Sequence, residues 1–133
     1  MIDRARSVLV VDDDESMRLL LASELTRLGH HVACAADGDD AISTLRVTTP
    51  DLLILDLLMP GTTGWDVLEF VDESPRLSDM PVVVLTAFGD CEEAPAGCTV
   101  IHKPLEADLL GDLVDELLAN AMPRHRGAGP TSA

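Results

Sequence analysis

The chain is poor in positive charge. Its 133 residues hold 9 Lys plus Arg against 24 Asp plus Glu, a formal net charge of −15 at pH 7. Nucleic acids and anionic membranes are bound through basic patches. This domain is therefore expected to bind neither, while metal cations and partners with basic surfaces are favoured. Cysteine is scarce as well. Cys34, Cys91 and Cys98 form an odd set without the spacing of a metal site. They read as reduced thiols of a cytoplasmic protein. No stretch approaches the length of a membrane span, and the N-terminus lacks the apolar segment of a signal peptide. There is no internal repeat.

The apolar content of 47% suffices for one core in a single domain of ordinary size. The chain is organised around residues 51–64. Leu52-Leu53-Ile54-Leu55 has no polar face and lies between Pro50 and Pro60-Gly61. A run this short and uniformly apolar predicts a strand buried on both sides. Ser7-Val8-Leu9-Val10-Val11 and Met80-Pro81-Val82-Val83-Val84-Leu85 are runs of the same kind. His31-Val32-Ala33-Cys34-Ala35 and Thr99-Val100-Ile101-His102 are weaker and suit sheet edges.

Helical spacing alternates with these runs. Met17, Leu20, Leu21, Leu25 and Leu28 define a first apolar face, capped by Asp14 and stopped by Gly29. Asp37 caps a second helix holding Ala41, Ile42 and Leu45, which ends before Pro50. Gly64, Val67, Leu68 and Val71 line a third. Leu109, Leu110, Leu113, Val114, Leu117 and Leu118 line a strongly amphipathic last helix. Residues 123–133 are small and polar and are expected to be disordered. Strand and helix alternating five times predict a parallel α/β sheet. With the apolar strands central, the order is 2-1-3-4-5, the flavodoxin-like doubly wound arrangement.

That order groups the acids. Asp12 and Asp13 follow the first strand and Asp56 follows the third, its neighbour. Ligands of open parallel sheets bind at the carboxyl ends of the strands. Three carboxylates crowded there repel one another unless a cation intervenes. A hard divalent ion with oxygen ligands, such as Mg²⁺, meets that need. Thr86 after the fourth strand adds a hydroxyl, and Lys103 after the fifth adds a positive charge. The set is equipped for phosphoryl transfer to a carboxylate, which depends on positioning and on neutralising the phosphoryl oxygens.

At this point the chain resembles a family, the receiver domains of two-component response regulators. The residues that carry the resemblance are Val10-Val11-Asp12-Asp13, Leu55-Asp56 with Met59-Pro60-Gly61 and Gly64, Leu85-Thr86-Ala87, and Lys103-Pro104. Each motif alone is weak; together, in order along the strand ends, they are specific. The resemblance covers about residues 6–121, within a receiver domain taken as 1–122. It implies that Asp56 is the phosphoacceptor. Asp12 and Asp13 would be the Mg²⁺ pair, with Asp13 the preferred direct ligand and the backbone carbonyl of Leu58 another. Thr86 and Lys103 would contact the phosphoryl group. The donor would be the phosphohistidine of a histidine kinase or of a phosphotransfer protein. Such a domain acts on itself alone and is otherwise no enzyme. It is expected to be a monomer or weak dimer.

Other readings fit the residues less well. A phosphatase of the dehalogenase type wants a second Asp two positions after the nucleophile, where this chain has Leu58. A pseudo-receiver that never uses phosphate is disfavoured by the intact acid set. Asp14 reads as a helix cap rather than a third metal ligand, and His30 and His31 as solvated or helix-capping groups. His102 ends an edge strand and reads as structural. Trp65 is placed on the exposed shoulder of the third helix. Arg124-His125-Arg126 is too short for a nucleic-acid tail, and no helix-turn-helix follows the domain within the 133 residues.

The chain also departs from the family. Thr86 and Val100 are only 14 positions apart, and Pro95 interrupts the segment between them. Helix 4 is therefore expected to be shortened or missing. Val100 stands where the family commonly has an aromatic switch. Leu58 and Phe88 put apolar side chains where the attacking water would approach.

Overall fold

In the computed structural model, the described residues are 6–86 and 98–102, together with Asp112 and Val114. The elements are β1 (Ser7–Val11), α1 (Glu15–Arg27), β2 (His31–Ala35), α2 (Gly38–Val47), β3 (Leu52–Asp56), α3 (Gly64–Glu73), β4 (Val82–Thr86) and β5 (Thr99–His102). All strand pairs are parallel, in the order β2-β1-β3-β4-β5. This is the flavodoxin-like order predicted from strand apolarity.

The sheet has a core on each face because side chains alternate along a strand. Leu9, Val11, Leu53, Leu55, Val82 and Val84 point to one face, where Ala41 and Leu45 of α2 and Val67, Leu68 and Val71 of α3 cover them. Val8, Val10, Leu52, Ile54, Val83 and Leu85 point to the other, under Leu21 and Leu25 of α1 and Val114. Every residue of β3 is buried. Edge strand β2 is largely exposed. Asp112 and Val114 are helical, as the last amphipathic pattern predicts.

Local signals act as expected at the helix ends. Asp14 accepts the Ser16 N–H and caps α1; Asp37 accepts the Asp40 N–H and caps α2. Gly29 stops α1 at φ 98°. Its N–H donates to the Thr26 carbonyl and that of His30 to the Leu25 carbonyl, closing the helix with the paired bonds of a Schellman motif.

Two expectations are corrected. Leu20 is not part of the buried face; it is exposed, as is Leu19. The stripe that α1 lays on the sheet is narrow and runs through Met17, Leu21 and Leu25, so a residue one position from Leu21 is rotated onto the flank. Of the two roles expected of His30, helix capping holds and solvation does not. The helix closure tucks it inward, where it is buried and its Nδ1 accepts the Arg6 N–H at 3.3 Å. Trp65 is exposed on α3, as placed.

One interaction has no local sequence signal. Arg76, in the connection from α3 to β4, reaches the C-terminus of α2. Its guanidinium donates to the Leu45 carbonyl at 2.6 Å, the Thr48 carbonyl at 2.7 Å and the Thr49 hydroxyl at 2.5 Å. Helix C-termini leave carbonyls without intrahelical donors and carry partial negative charge, so a cation there satisfies both.

The segment expected to shorten or lose helix 4 lies outside the described residues, as do Phe88, Lys103 and residues 123–133.

Candidate functional site

Two loops build the site, and each begins with a carboxylate that folds its own loop. Asp12 follows β1. Its N–H donates to the Ala35 carbonyl at 3.2 Å, and its carbonyl accepts the Arg18 guanidinium at 2.7 Å. Its Oδ1 accepts the Asp14 N–H at 2.9 Å. Asp56, the last residue of β3 rather than the first beyond it, pairs with Leu85 of β4. Its Oδ1 accepts the Leu58 N–H at 3.1 Å. Both loops therefore turn on a carboxylate bonded to the N–H two residues ahead, the turn that Asp makes most readily.

These turns bring the acids together. Asp12, Asp13 and Asp56 each offer a carboxylate oxygen, and the three oxygens lie within 4.8 Å of one another. Asp12 is 0% and Asp56 4% exposed, while Asp13 is open to solvent. Surface acids cluster readily because water solvates them; two buried carboxylates beside a third carry a desolvation cost and a mutual repulsion. The donors are all oxygens, the preference of a hard cation such as Mg²⁺ and not of a soft one. The residues present fit a small divalent ion. Asp14 is engaged at the α1 N-cap, the role expected of it.

The loop after β3 needs two glycines to do its work. At Gly64 an ideal Cβ would lie 2.4 Å from the Asp56 carbonyl oxygen and 2.5 Å from the Leu57 Cα. Only a bare Cα lets α3 start this close to the end of β3, where the Gly64 N–H donates to the Leu57 carbonyl at 3.0 Å. Gly61 turns the loop at φ 74°. Thr63 and Asp66 then close a capping box at the start of α3. The Thr-x-x-Asp spacing at 63–66 carried that signal in the sequence, and it was not among the predicted caps. Leu58 is 51% exposed beside the acids.

Thr86 ends β4, one step beyond the residue paired with Asp56, and pairs with His102 at the end of β5. Its backbone is thus at the same end of the sheet as the acids. Lys103 is next in sequence after His102 and is the chain's single lysine. Val100 is half-buried and packs against the core beneath α2 and α3. Cys34 lies on the exposed edge strand β2, and Cys98 is half-buried just before β5. Among the described residues no helix is long and apolar enough to cross a membrane.

Comparison with known proteins agrees with this geometry. The family model of the response regulator receiver domain matches residues 8–115. The transcriptional regulatory protein AfsQ1 of Streptomyces coelicolor is 40% identical over 109 residues, which cover 78% of this chain and 47% of that protein. The probable transcriptional regulator ycf27 of Cyanophora paradoxa is 37% identical over 92 residues, 69% of this chain and 37% of that one. The chain thus spans about half or less of the length of these curated relatives. A receiver domain of a signal transduction histidine kinase from Syntrophus aciditrophicus superposes with a TM-score of 0.79 at 29% identity, covering 97% of this chain and 99% of that one. A putative response regulator from Chloroflexus aurantiacus superposes with a TM-score of 0.78 at 33% identity, covering 86% and 98%. Sheet order, acid cluster and a family match over most of the chain converge, and the chain belongs to the response regulator receiver domains of two-component systems.

Proposed function

We propose that this domain accepts a phosphoryl group on Asp56 from the phosphohistidine of a histidine kinase or phosphotransfer protein, in a Mg²⁺-dependent reaction. The observation that carries this reading is the approach of the Asp12, Asp13 and Asp56 carboxylates within 4.8 Å at the carboxyl end of the central strands. In the transfer, a carboxylate oxygen of Asp56 forms a bond to phosphorus. The phosphorus–nitrogen bond of the donor breaks, and the imidazole nitrogen leaves with the electron pair. Asp12, Asp13, Asp56 and the Leu58 carbonyl would hold the cation, which when bound supplies charge neutralisation at the phosphoryl oxygens. Asp56 is held for attack by burial and by the Leu58 N–H on its Oδ1. Thr86 is assigned the hydroxyl that meets the transferred group and Lys103 the positive charge opposite it.

The reading extends to the surroundings. The receiver unit is taken as 1–122 with 123–133 a tail, in a cytoplasmic protein. The phosphorylated domain passes its signal to a protein partner and does not itself touch nucleic acid. The transcriptional regulators among its relatives are longer, the matched part being 47% and 37% of them, which leaves room for a DNA-binding output in a longer protein.

The test is intact-mass measurement after incubation with acetyl phosphate. One added phosphoryl group is expected with Mg²⁺, and none with a chelator or in Asp56→Asn. Equal incorporation in Asp56→Asn, or none in the parent with Mg²⁺, overturns the assignment.

A further inference from the structure

Residues 57–63 leave β3 beside the acids, carry Leu58 and return to α3. Met59 anchors the loop by sinking into the core. Beyond that anchor, the loop is tied to an element far away in sequence, the first turn of α2. The Thr62 hydroxyl donates to Asp39 Oδ1 at 2.7 Å. Beside this bond Gly38 is buried against the same residue. An ideal Cβ there would lie 2.3 Å from the Thr62 carbonyl oxygen and 2.5 Å from its methyl carbon. The lack of a side chain at Gly38 thus lets α2 press directly on the loop backbone. Asp39 is not one of the clustered acids, and phosphoryl chemistry gives it no task.

We propose that Gly38, Asp39 and Thr62 form a positioning brace for the acid site, coupling cation binding to the first turn of α2. This rests on the Mg²⁺-dependent reading above. A small hard cation demands near-ideal octahedral geometry at about 2.0–2.1 Å, so its affinity is sensitive to small displacements of a loop that carries its ligands. Thr62 is four residues from Leu58, and Pro60 between them has a fixed φ. A shift at Thr62 is therefore passed back through a short segment, turned at Gly61 and held by Pro60 and the buried Met59, toward Leu58 and Asp56. Linkage makes the coupling reciprocal: whatever the brace adds to cation affinity, the cation adds to the order of the α2 N-terminus. The state of the acid site then reaches the surface at α2, independently of the segment after β4.

The experiment separates position from charge. Asp39→Asn keeps the acceptor oxygen and loses the charge, Asp39→Ala loses both, and Thr62→Val keeps the shape and loses the hydroxyl. Mg²⁺ dissociation constants come from calorimetry, and amide exchange over residues 57–64 comes from NMR of the metal-free proteins. Asp39→Ala and Thr62→Val are expected to bind Mg²⁺ about fivefold more weakly, the worth of one modest hydrogen bond, with Asp39→Asn within about twofold of the parent. Loop amides exchange faster in the first two variants, and in the parent Mg²⁺ slows exchange over residues 38–41. If Asp39→Asn loses as much affinity as Asp39→Ala, the effect is through-space charge and the brace is overturned. Unchanged affinity in Asp39→Ala and Thr62→Val also overturns it. A parent that takes up no Mg²⁺ brings down the phosphoacceptor reading and the coupling with it. Loop exchange then decides whether Thr62 and Asp39 hold the loop at all, and unchanged exchange removes that too.

Discussion

The loops after β1 and β3 deliver carboxylates to the same point by opposite means. The loop after β1 is short and holds itself. Asp12 bonds the N–H two residues on, Asp14 caps the helix at once, and Arg18 from the next turn returns to the Asp12 carbonyl. The loop after β3 opens with the same carboxylate turn but then runs through seven residues before α3 begins. Its shape comes from a positive-φ glycine, a buried methionine, a glycine pressed on β3 and the contact with α2. A short self-capped loop is specified by neighbours in sequence. A long one is specified by tertiary packing, and small changes far from the acids can move it.

That contrast makes Gly64 the most sensitive position. An added Cβ overlaps the backbone of β3, which cannot yield as a flexible side chain would. Gly64→Ala is expected to cost about 2–3 kcal/mol in urea unfolding, the upper part of the range of core overpacking, because the overlap is with backbone. Gly61→Ala adds a Cβ that meets nothing within 4 Å and pays only for φ 74°, about 1 kcal/mol. Equal losses at the two positions would show that close approach to β3 is not what the loop depends on.

Next in size is the lifetime of the phosphoryl group. Its hydrolysis needs a water in line with the bond to Asp56, held by polar partners. Leu58 beside Asp56 offers none, and Phe88 is assigned to the same approach. The phosphorylated domain is expected to lose phosphate slowly, and Leu58→Asn/Phe88→Glu to lose it faster by about an order of magnitude or more, each tenfold being ~1.4 kcal/mol of barrier. Phosphate loss followed in Mg²⁺ after removal of the donor checks this. Equal rates, or a parent that is already fast, refute it.

The smallest effect falls in the loop after β1. Removing its cap with Asp14→Ala should cost about 1 kcal/mol of stability. The acids themselves remain, so Mg²⁺ uptake should persist. Loss of Mg²⁺ uptake in this variant would mean that Asp14 serves the cation after all.

How much of this was legible in the sequence follows the same division. Strand order could be read because β1, β3 and β4 are apolar on both faces while β2 and β5 are not. Asp12, Asp13 and Asp56 could be placed because each follows such a run, and caps at Asp14 and Asp37 because capping is local. Leu20 was misplaced because periodicity gives the direction of a helix face and not the width of the groove it meets. His30 caps the helix end, one of the two roles expected of it, but that it is buried rather than solvated could not be read, because its ring meets the Arg6 N–H only once the sheet has formed. Arg76 on α2 and Thr62 on Asp39 join segments 31 and 23 residues apart, and no spacing rule announces such pairs.

On the reading proposed above, two loops make one cation site. Its most direct test is thermal melting across a Mg²⁺ series for the parent, Asp13→Ala from the loop after β1 and Asp56→Asn from the loop after β3. A cation bound only by the folded protein raises stability with the logarithm of its concentration once above the dissociation constant. The melting temperature is expected to climb with Mg²⁺ in the parent, to stay flat in Asp13→Ala and to climb clearly less in Asp56→Asn. A flat parent, or a climb untouched by either substitution, would contradict it.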